Sequence, residues 1–256
     1  MIKAMIPDDY KNLLEYISPA AFQVIDWKRA VVALAKMSKS SFSAGEKPDI
    51  DADAVSLYSN QLRWSAKNAV DLEPGKVDEM FYGSQVLDLY FSQFFSERSS
   101  FLDLRAKNFA CDNRSLWFLS TAMRHQFSRK FRLAMLDVYA GYYMDDERIL
   151  KKGLSGVGLI KKDATEAEVT EVSELLFAHF GDGRSQKILF KLDEFQKSFH
   201  SLFLWLKKRG VRLESDFLFL GIYLVTMYMN LSRLETPLEV SSVFRDVWQR
   251  NREVLG

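Results

Sequence analysis

The residues whose types and spacing could take part in chemistry lie in one short stretch near the middle of the chain. Asp103 and Asn108 are five positions apart in a segment without a helical pattern, and helical patterns flank it on both sides. Two apolar runs follow, 109–111 and 116–119, on either side of Asp112-Asn113. Two apolar runs around such a turn predict a β-hairpin. We therefore expect any chemistry of this chain here, with the remaining elements positioning the stretch.

A purely structural role accounts for the same residue types. Asp103 can cap or hydrogen-bond the loop, and Asn108 can satisfy backbone donors where a strand begins. In that interpretation Arg105 and Lys107 are solvated loop charges. The residues alone leave both interpretations open.

The stretch resembles the catalytic loop and metal-binding hairpin of protein-kinase-like folds. Phe101-Leu-Asp-Leu-Arg-Ala-Lys-Asn108 is similar to the loop His-Ala-Asp-x-His-x-Gly-Asn of the AarF/UbiB atypical kinase family, with the same five residues from Asp to Asn. The resemblance implies that Asp103 stands at the position of the base and Asn108 at that of a metal ligand. The family's Asp-Phe-Gly triplet falls on residues 120–122, where Ser120 replaces the acid.

A serine hydroxyl cannot replace a carboxylate on magnesium, because hard divalent cations rely on anionic oxygen ligands. The resemblance thus implies a disabled or much altered site. Asp103 would be a vestigial base, Asn108 and Ser120 would occupy degenerate cofactor-binding positions, and no metal or cofactor is expected.

The resemblance continues over about 85–240 as an order of elements. A helix at 127–145 is followed by the glycine-rich segment 152–160, and Gly210-Val-Arg-Leu213 leads into a buried helix that ends near Pro237. We interpret 152–160 as a connecting turn rather than a phosphate loop, because no Lys-Ser/Thr follows its glycines. No glycine-rich loop or strand series resembles a kinase N-lobe. Lys28 and Lys67 lie in helical patterns and are interpreted as solvated charges.

Apolar periodicity predicts helices at 19–39, 51–70, 76–95, 127–145, 165–180, 187–209, 217–229 and 240–252. The expected fold class is mainly α: a protein-kinase C-lobe-like helical domain with one short β-hairpin, and a helical N-terminal region in place of the N-lobe. We divide the chain into a helical N-terminal region, 1–75, and the C-lobe-like domain, 76–256. An unrelated helical bundle is the alternative.

Composition narrows the classes of function. Formal charge is +1 over 256 residues, so no nucleic-acid footprint is predicted. The single cysteine, Cys111, excludes an internal disulfide and is interpreted as a buried thiol. His125, His179 and His200 form no Glu-x-x-His pair, which argues against a metal site. The apolar segment 217–229 is too short for a membrane span, and the N-terminus lacks a secretory pattern, so we expect a cytoplasmic protein.

Three functions remain from the sequence. The first is a pseudokinase that binds or regulates a protein partner or an apolar or lipid ligand, and the missing motifs favour this non-enzyme interpretation. The second is an active atypical kinase or ATPase using ATP and Mg²⁺, with Asp103 as base, Asn108 as metal ligand and Asp112 or Asp137 as a further carboxylate. The third is a structural, all-α or oligomer-forming interaction protein. The family resemblance also implies isoprenoid-quinone or lipid metabolism.

Overall fold

Helices form most of the structure, a computed structural model that describes residues 12–26, 30, 57–65, 78–111, 115–119, 123–178 and 187–255. The expectation of a mainly α fold is confirmed. The α-helices are α1 (Ala21–Val24), α2 (Glu79–Ser92), α3 (Arg129–Tyr143), α4 (Glu147–Gly156), α5 (Glu166–Phe177), α6 (Leu192–Lys208), α7 (Asp216–Leu231) and α8 (Val240–Asn251). The strands are β1 (Leu62–Ser65), β2 (Ser100–Phe101), β3 (Phe109–Cys111), β4 (Leu116–Leu119) and β5 (Arg124–His125).

Local sequence signals set several helix ends. The Ser128 hydroxyl accepts the Phe131 N–H at the start of α3. Thr165 and Glu168 form a reciprocal capping box at the start of α5, which satisfies two backbone donors. Gly210 follows α6 with φ of 64°, a left-handed conformation that suits glycine. A serine cap, a capping box and a glycine therefore mark three helix ends in this sequence.

The predicted hairpin is present and belongs to a three-stranded sheet with the order β1-β4-β3. Phe109 of β3 lies opposite Phe118 of β4 in antiparallel pairing. On the other side β4 pairs in parallel with β1, where Leu62 lies opposite Leu116. A separate two-stranded ribbon pairs β2 with β5. In sequence the two strands of this ribbon flank the hairpin, with β2 before it and β5 after it.

Two predicted N-terminal helices differ from the structure in the described residues: one is wrong and the other is interrupted. Residues 57–65, within the helix expected at 51–70, form a turn and then β1, because β4 offers this segment a hydrogen-bonding partner. The helix expected at 19–39 is interrupted after Val24, since Ile25 is extended and bridges Leu213, and Ala30 is again helical. Most of the remainder of 19–39 lies outside the described residues, as do Lys28 and Lys67.

The glycine-rich segment 152–160 is largely helix rather than the predicted connecting turn. Gly153 and Gly156 belong to α4, where they allow close contact with α3. A Cβ atom on Gly153 would lie 2.5 Å from the backbone nitrogen of Val138, and one on Gly156 would lie 2.7 Å from the Ala134 Cβ. Only Gly158, with φ of 85°, occupies a turn conformation in this run. These glycines serve helix packing, not phosphate binding.

Helix α7 lies in the middle of the core, as its apolar sequence predicts. All but two of its residues are buried, and its aromatic rings pack against α2, as in the 4.6 Å separation of the Tyr90 and Tyr223 ring centroids. In the part of the chain described here, no helix is both long enough and apolar enough to cross a membrane.

Candidate functional site

The candidate site is the loop 102–108, which connects the β2–β5 ribbon to the hairpin. Gln93, the residue that caps the C-terminus of α2, fixes β2 where it enters the loop. The Gln93 Oε1 accepts the Phe101 N–H at 2.5 Å, and the Gln93 Nε2 donates to the Phe101 carbonyl at 3.2 Å. A primary amide can pair with both polar groups of one residue, so Gln93 substitutes for a neighbouring strand. The loop starts from a fixed backbone position.

Two polar residues of α7 hold the next part of the loop. The Thr226 Oγ1 donates to the Leu102 carbonyl at 2.5 Å and accepts the Leu104 N–H at 3.1 Å. The Asn230 Nδ2 donates to the Leu104 carbonyl at 2.9 Å, and its Oδ1 accepts the Tyr82 hydroxyl at 2.9 Å. Thr226 and Asn230 are almost completely buried and four residues apart, so they face the loop from one side of the helix.

Asp103 is neutralised within the loop by Arg105. The Arg105 Nε lies 2.7 Å from the Asp103 Oδ1, and its Nη2 lies 2.6 Å from the Oδ2, a bidentate ion pair. The Arg105 backbone N–H adds a contact of 3.3 Å to Oδ1. Only 1% of the Asp103 side chain is exposed, compared with 15% for Arg105. Bidentate, charge-assisted pairs of this kind are among the stronger hydrogen bonds in proteins.

This pair corrects the interpretation of Arg105 as a solvated charge. The segment 102–105 is extended, and residues two apart in an extended chain point to the same side, so Asp103 and Arg105 meet. Lys107, by contrast, is exposed on the 3₁₀ turn Ala106–Asn108. In an extended segment, the Asp-x-Arg spacing predicts this pair.

Asn108 contacts Asp103, but it contacts the backbone carbonyl of Asp103 and not its carboxylate. Its Nδ2 donates to the Asp103 carbonyl at 2.9 Å, and its backbone N–H donates to the Arg105 carbonyl at 2.9 Å. These bonds close the 3₁₀ turn immediately before β3. The two predicted site residues thus share one turn, in which the amide stabilises the loop.

The other residues assigned to the site fall elsewhere. Ser120 and Asp112 lie outside the described residues. Asp137 is on α3, and its carboxylate pairs with Lys152 of α4 at 2.8 Å rather than with the loop. Cys111 ends β3, and the predicted burial of its thiol stays a prediction.

The histidines in the described residues are engaged in protein contacts. His125 Nε2 lies 2.8 Å from the Asp216 Oδ1, and the imidazole stacks on Phe219 with 3.8 Å between ring centroids. His200 Nδ1 lies 2.9 Å from the Ser18 Oγ. His179 is outside the described part.

Asp216 ties the start of α7 to the β2–β5 ribbon and to α3. Besides His125, its carboxylate accepts the Ser128 N–H at 3.0 Å. Burial alone would raise the pKa of Asp216, but the hydrogen bonds from His125 and Ser128 outweigh burial and leave the pKa below its usual value. The carboxylate is therefore ionised at neutral pH, where it holds β5 next to the helix.

The described residues do not fit a magnesium site. Among them, no group of three or more His, Cys, Asp or Glu side chains is placed to hold a metal ion. In the loop the one carboxylate has both oxygens on Arg105. Hard cations need several oxygen ligands, with carboxylates prominent among them, and an arginine at bonding distance repels a cation.

Comparison with known proteins adds no family assignment. No protein-family model matches the chain, and a search of curated proteins found no significant match.

Proposed function

We propose that this chain is a catalytically degenerate, kinase-like protein that acts as a binding or regulatory module. The observation that carries the proposal is the Asp103–Arg105 pair, which occupies both oxygens of a carboxylate that is only 1% exposed. A general base must reach the proton that it removes. In this arrangement the acid of the loop is committed to the protein itself.

The order of elements supports the kinase-like part of the proposal. Asp103 and Asn108 share a turn that opens directly into an antiparallel hairpin, as the resemblance to the AarF/UbiB family implies. Phosphoryl transfer depends mainly on positioned metal ions and phosphate contacts, so a loop without a set of metal ligands loses most of its rate. The serine at position 120, where the resemblance places the metal-binding acid, points to the same loss.

One observation favours a second candidate, an active kinase or ATPase. The same turn presents the partly exposed Arg105 and the half-buried Asn108 together. If Arg105 contacted a phosphate, it would release Asp103 to act as base. This candidate requires a nucleotide-dependent change in the loop, whereas the degenerate protein requires none.

A thermal-shift titration separates the two candidates. Purified protein is titrated with ATP and ADP to millimolar concentration, with and without Mg²⁺ or Mn²⁺, and each variant is compared with its own nucleotide-free melting temperature. A ligand that binds only the folded state raises that temperature. The informative variants are Asp103→Asn and Asn108→Ala, and Lys107→Ala is the matched control because Lys107 is the exposed polar side chain of the same loop.

The degenerate protein gives no metal-dependent shift in any variant. A shift that needs the metal, disappears in Asp103→Asn and Asn108→Ala, and persists in Lys107→Ala would establish the active candidate instead. A phosphorylation or ATPase assay would then identify the reaction.

A further inference from the structure

A groove of about 900 Å³ runs along one side of α5, between this helix and the first turns of α4. The α5 wall is a single helical stripe with spacings of three and four residues, from Glu166 at one end to Phe177 at the other. A helix rises 1.5 Å per residue, so this wall is about 16 Å long. This wall is as long as about three turns of a bound helix.

The groove has an apolar floor and polar rims. Tyr142, Leu150, Val169 and Phe177 form the floor and are buried, with Tyr142 stacked on Phe177 at 3.6 Å between ring centroids. The rims carry exposed residues of α4 and α5, which leave the groove open to solvent. An apolar floor between polar rims suits an amphipathic segment that inserts its apolar face into the groove.

Three carboxylates and two cations line the rims of the groove. Glu147, Glu166 and Glu174 line the groove, and none of them forms an ion pair with another described residue. Two cations also line it: Lys151, whose Nζ already donates to the Ala164 carbonyl at 2.6 Å, and Arg148. The α5 side of the groove therefore carries acids without a cation, Glu166 and Glu174, whereas the α4 side carries both signs, and an acidic α5 side favours a ligand with positive charge flanking its apolar face.

We propose that this groove binds a short, basic amphipathic segment of a partner protein. An apolar side chain of the segment rests on the floor, and flanking Lys or Arg side chains pair with Glu166 and Glu174. The inference supplies a class of partner for the proposed binding module and rests on that proposal. The groove belongs to α3, α4 and α5, and none of its lining residues is part of the loop 102–108.

The small size of the groove predicts a weak, transient complex. Interfaces below the standard size of about 1,600 Å² are typical of transient encounters. Exposed ion pairs at its rim would be screened by salt, so affinity should fall as ionic strength rises.

The probe is a fluorescein-labelled, twelve-residue peptide with leucine at spacings of three and four and lysine elsewhere, measured by fluorescence anisotropy. A second peptide has glutamate in place of every lysine. Glu166→Lys combined with Glu174→Lys reverses the rim charge, and Thr170→Trp fills the groove from an exposed position on α5. Glu235→Lys, a single charge reversal at an exposed position outside the groove, is the control for positive charge added elsewhere on the surface.

The proposal expects the lysine peptide to bind the wild-type chain, with a Kd at least about tenfold higher for the rim variant and for Thr170→Trp. Glu235→Lys should bind like the wild type, and the glutamate peptide should not bind. If the lysine peptide does not bind, or binds all variants with equal affinity, the proposal that the groove binds a basic segment is refuted. The nucleotide titration tests the loop 102–108 and the peptide assay tests the groove. Failure of the proposed groove can therefore be distinguished from failure of the proposed function.

Discussion

Two glycine-to-alanine substitutions in helices of this protein should change stability in opposite directions. In the exposed interior of a helix, alanine is more stable than glycine by about 0.8–1 kcal/mol. At Gly221 in α7, an added Cβ meets no atom of the described residues within 4 Å, so this gain should be realised. At Gly153 the Cβ would lie 2.5 Å from the Val138 nitrogen, 2.8 Å from the Asp137 carbonyl carbon and 2.9 Å from the Ala134 oxygen.

The three atoms that crowd position 153 are all backbone, so no side-chain rotation can relieve the contact. α3 and α4 must move apart by roughly 0.5–1 Å, and because no side chain can yield, the cost lies in the upper part of the usual range for overpacking, at about 2–3 kcal/mol. After the helix-propensity gain, Gly153→Ala should destabilise the protein by about 1–2 kcal/mol. For a chain of this size that corresponds to a melting temperature about 2–8 °C lower, whereas Gly221→Ala should raise the melting temperature by about 2–4 °C.

Thermal denaturation followed by circular dichroism at 222 nm measures both variants under identical conditions. Far-UV spectra before melting check that each variant has the helical content of the wild type. A melting temperature for Gly153→Ala equal to or above that of the wild type would refute the close α3–α4 contact as the reason for glycine at this position. An increase for Gly221→Ala alone would leave that reasoning intact.

Three further perturbations test the site. Arg105→Ala should leave the buried Asp103 carboxylate without its cation and cost about 2–4 kcal/mol in urea denaturation, whereas Lys107→Ala should change stability by less than about 0.5 kcal/mol. Thr226→Val keeps the side-chain shape but leaves two loop groups unsatisfied, so it should cost about 1–3 kcal/mol and speed hydrogen exchange of the Leu104 amide, as measured by NMR. Asp216 has a lowered pKa in the folded state. Its contribution to the free energy of unfolding is therefore fully present above the pKa of the unfolded state, near 3.9, and is lost as pH falls through the pKa of the folded state. The stability difference between wild type and Asp216→Asn should therefore be full at pH 6 and shrink below about pH 4; a difference independent of pH would refute this.

Sequence patterns predicted elements whose signals are local. α3 and α5 have side-chain caps and periodic apolar faces, and the hairpin has two short apolar runs. β1 could not be predicted in this way, because four residues with alternate apolar positions fit either a helix or a strand until β4 supplies a partner. α4 was missed for a different reason: Gly153 and Gly156 resemble turn residues in sequence, but close approach to α3 requires them inside a helix.

For the candidate site, too, the sequence predicted local features but not contacts between distant residues. The spacing of Asp103 and Asn108 placed them in one loop, and the structure puts them in one turn. What the spacing could not reveal is that the loop depends on Thr226 and Asn230, more than 120 residues away. Their signal was weak but present, since a threonine and an asparagine four residues apart interrupt an otherwise apolar helix.

Those polar residues give a physical reason why the loop should persist without catalysis. Thr226 and Asn230 are 0% and 1% exposed, and a buried polar group without a partner costs about 1–3 kcal/mol. Their partners are backbone groups of Leu102 and Leu104, so α7 is stable in this core only while the loop keeps its path. A substitution that removed chemistry, such as loss of a metal-binding acid, would leave these bonds intact. A change in the loop backbone would break them, so the stability of the core alone favours the observed path of the loop.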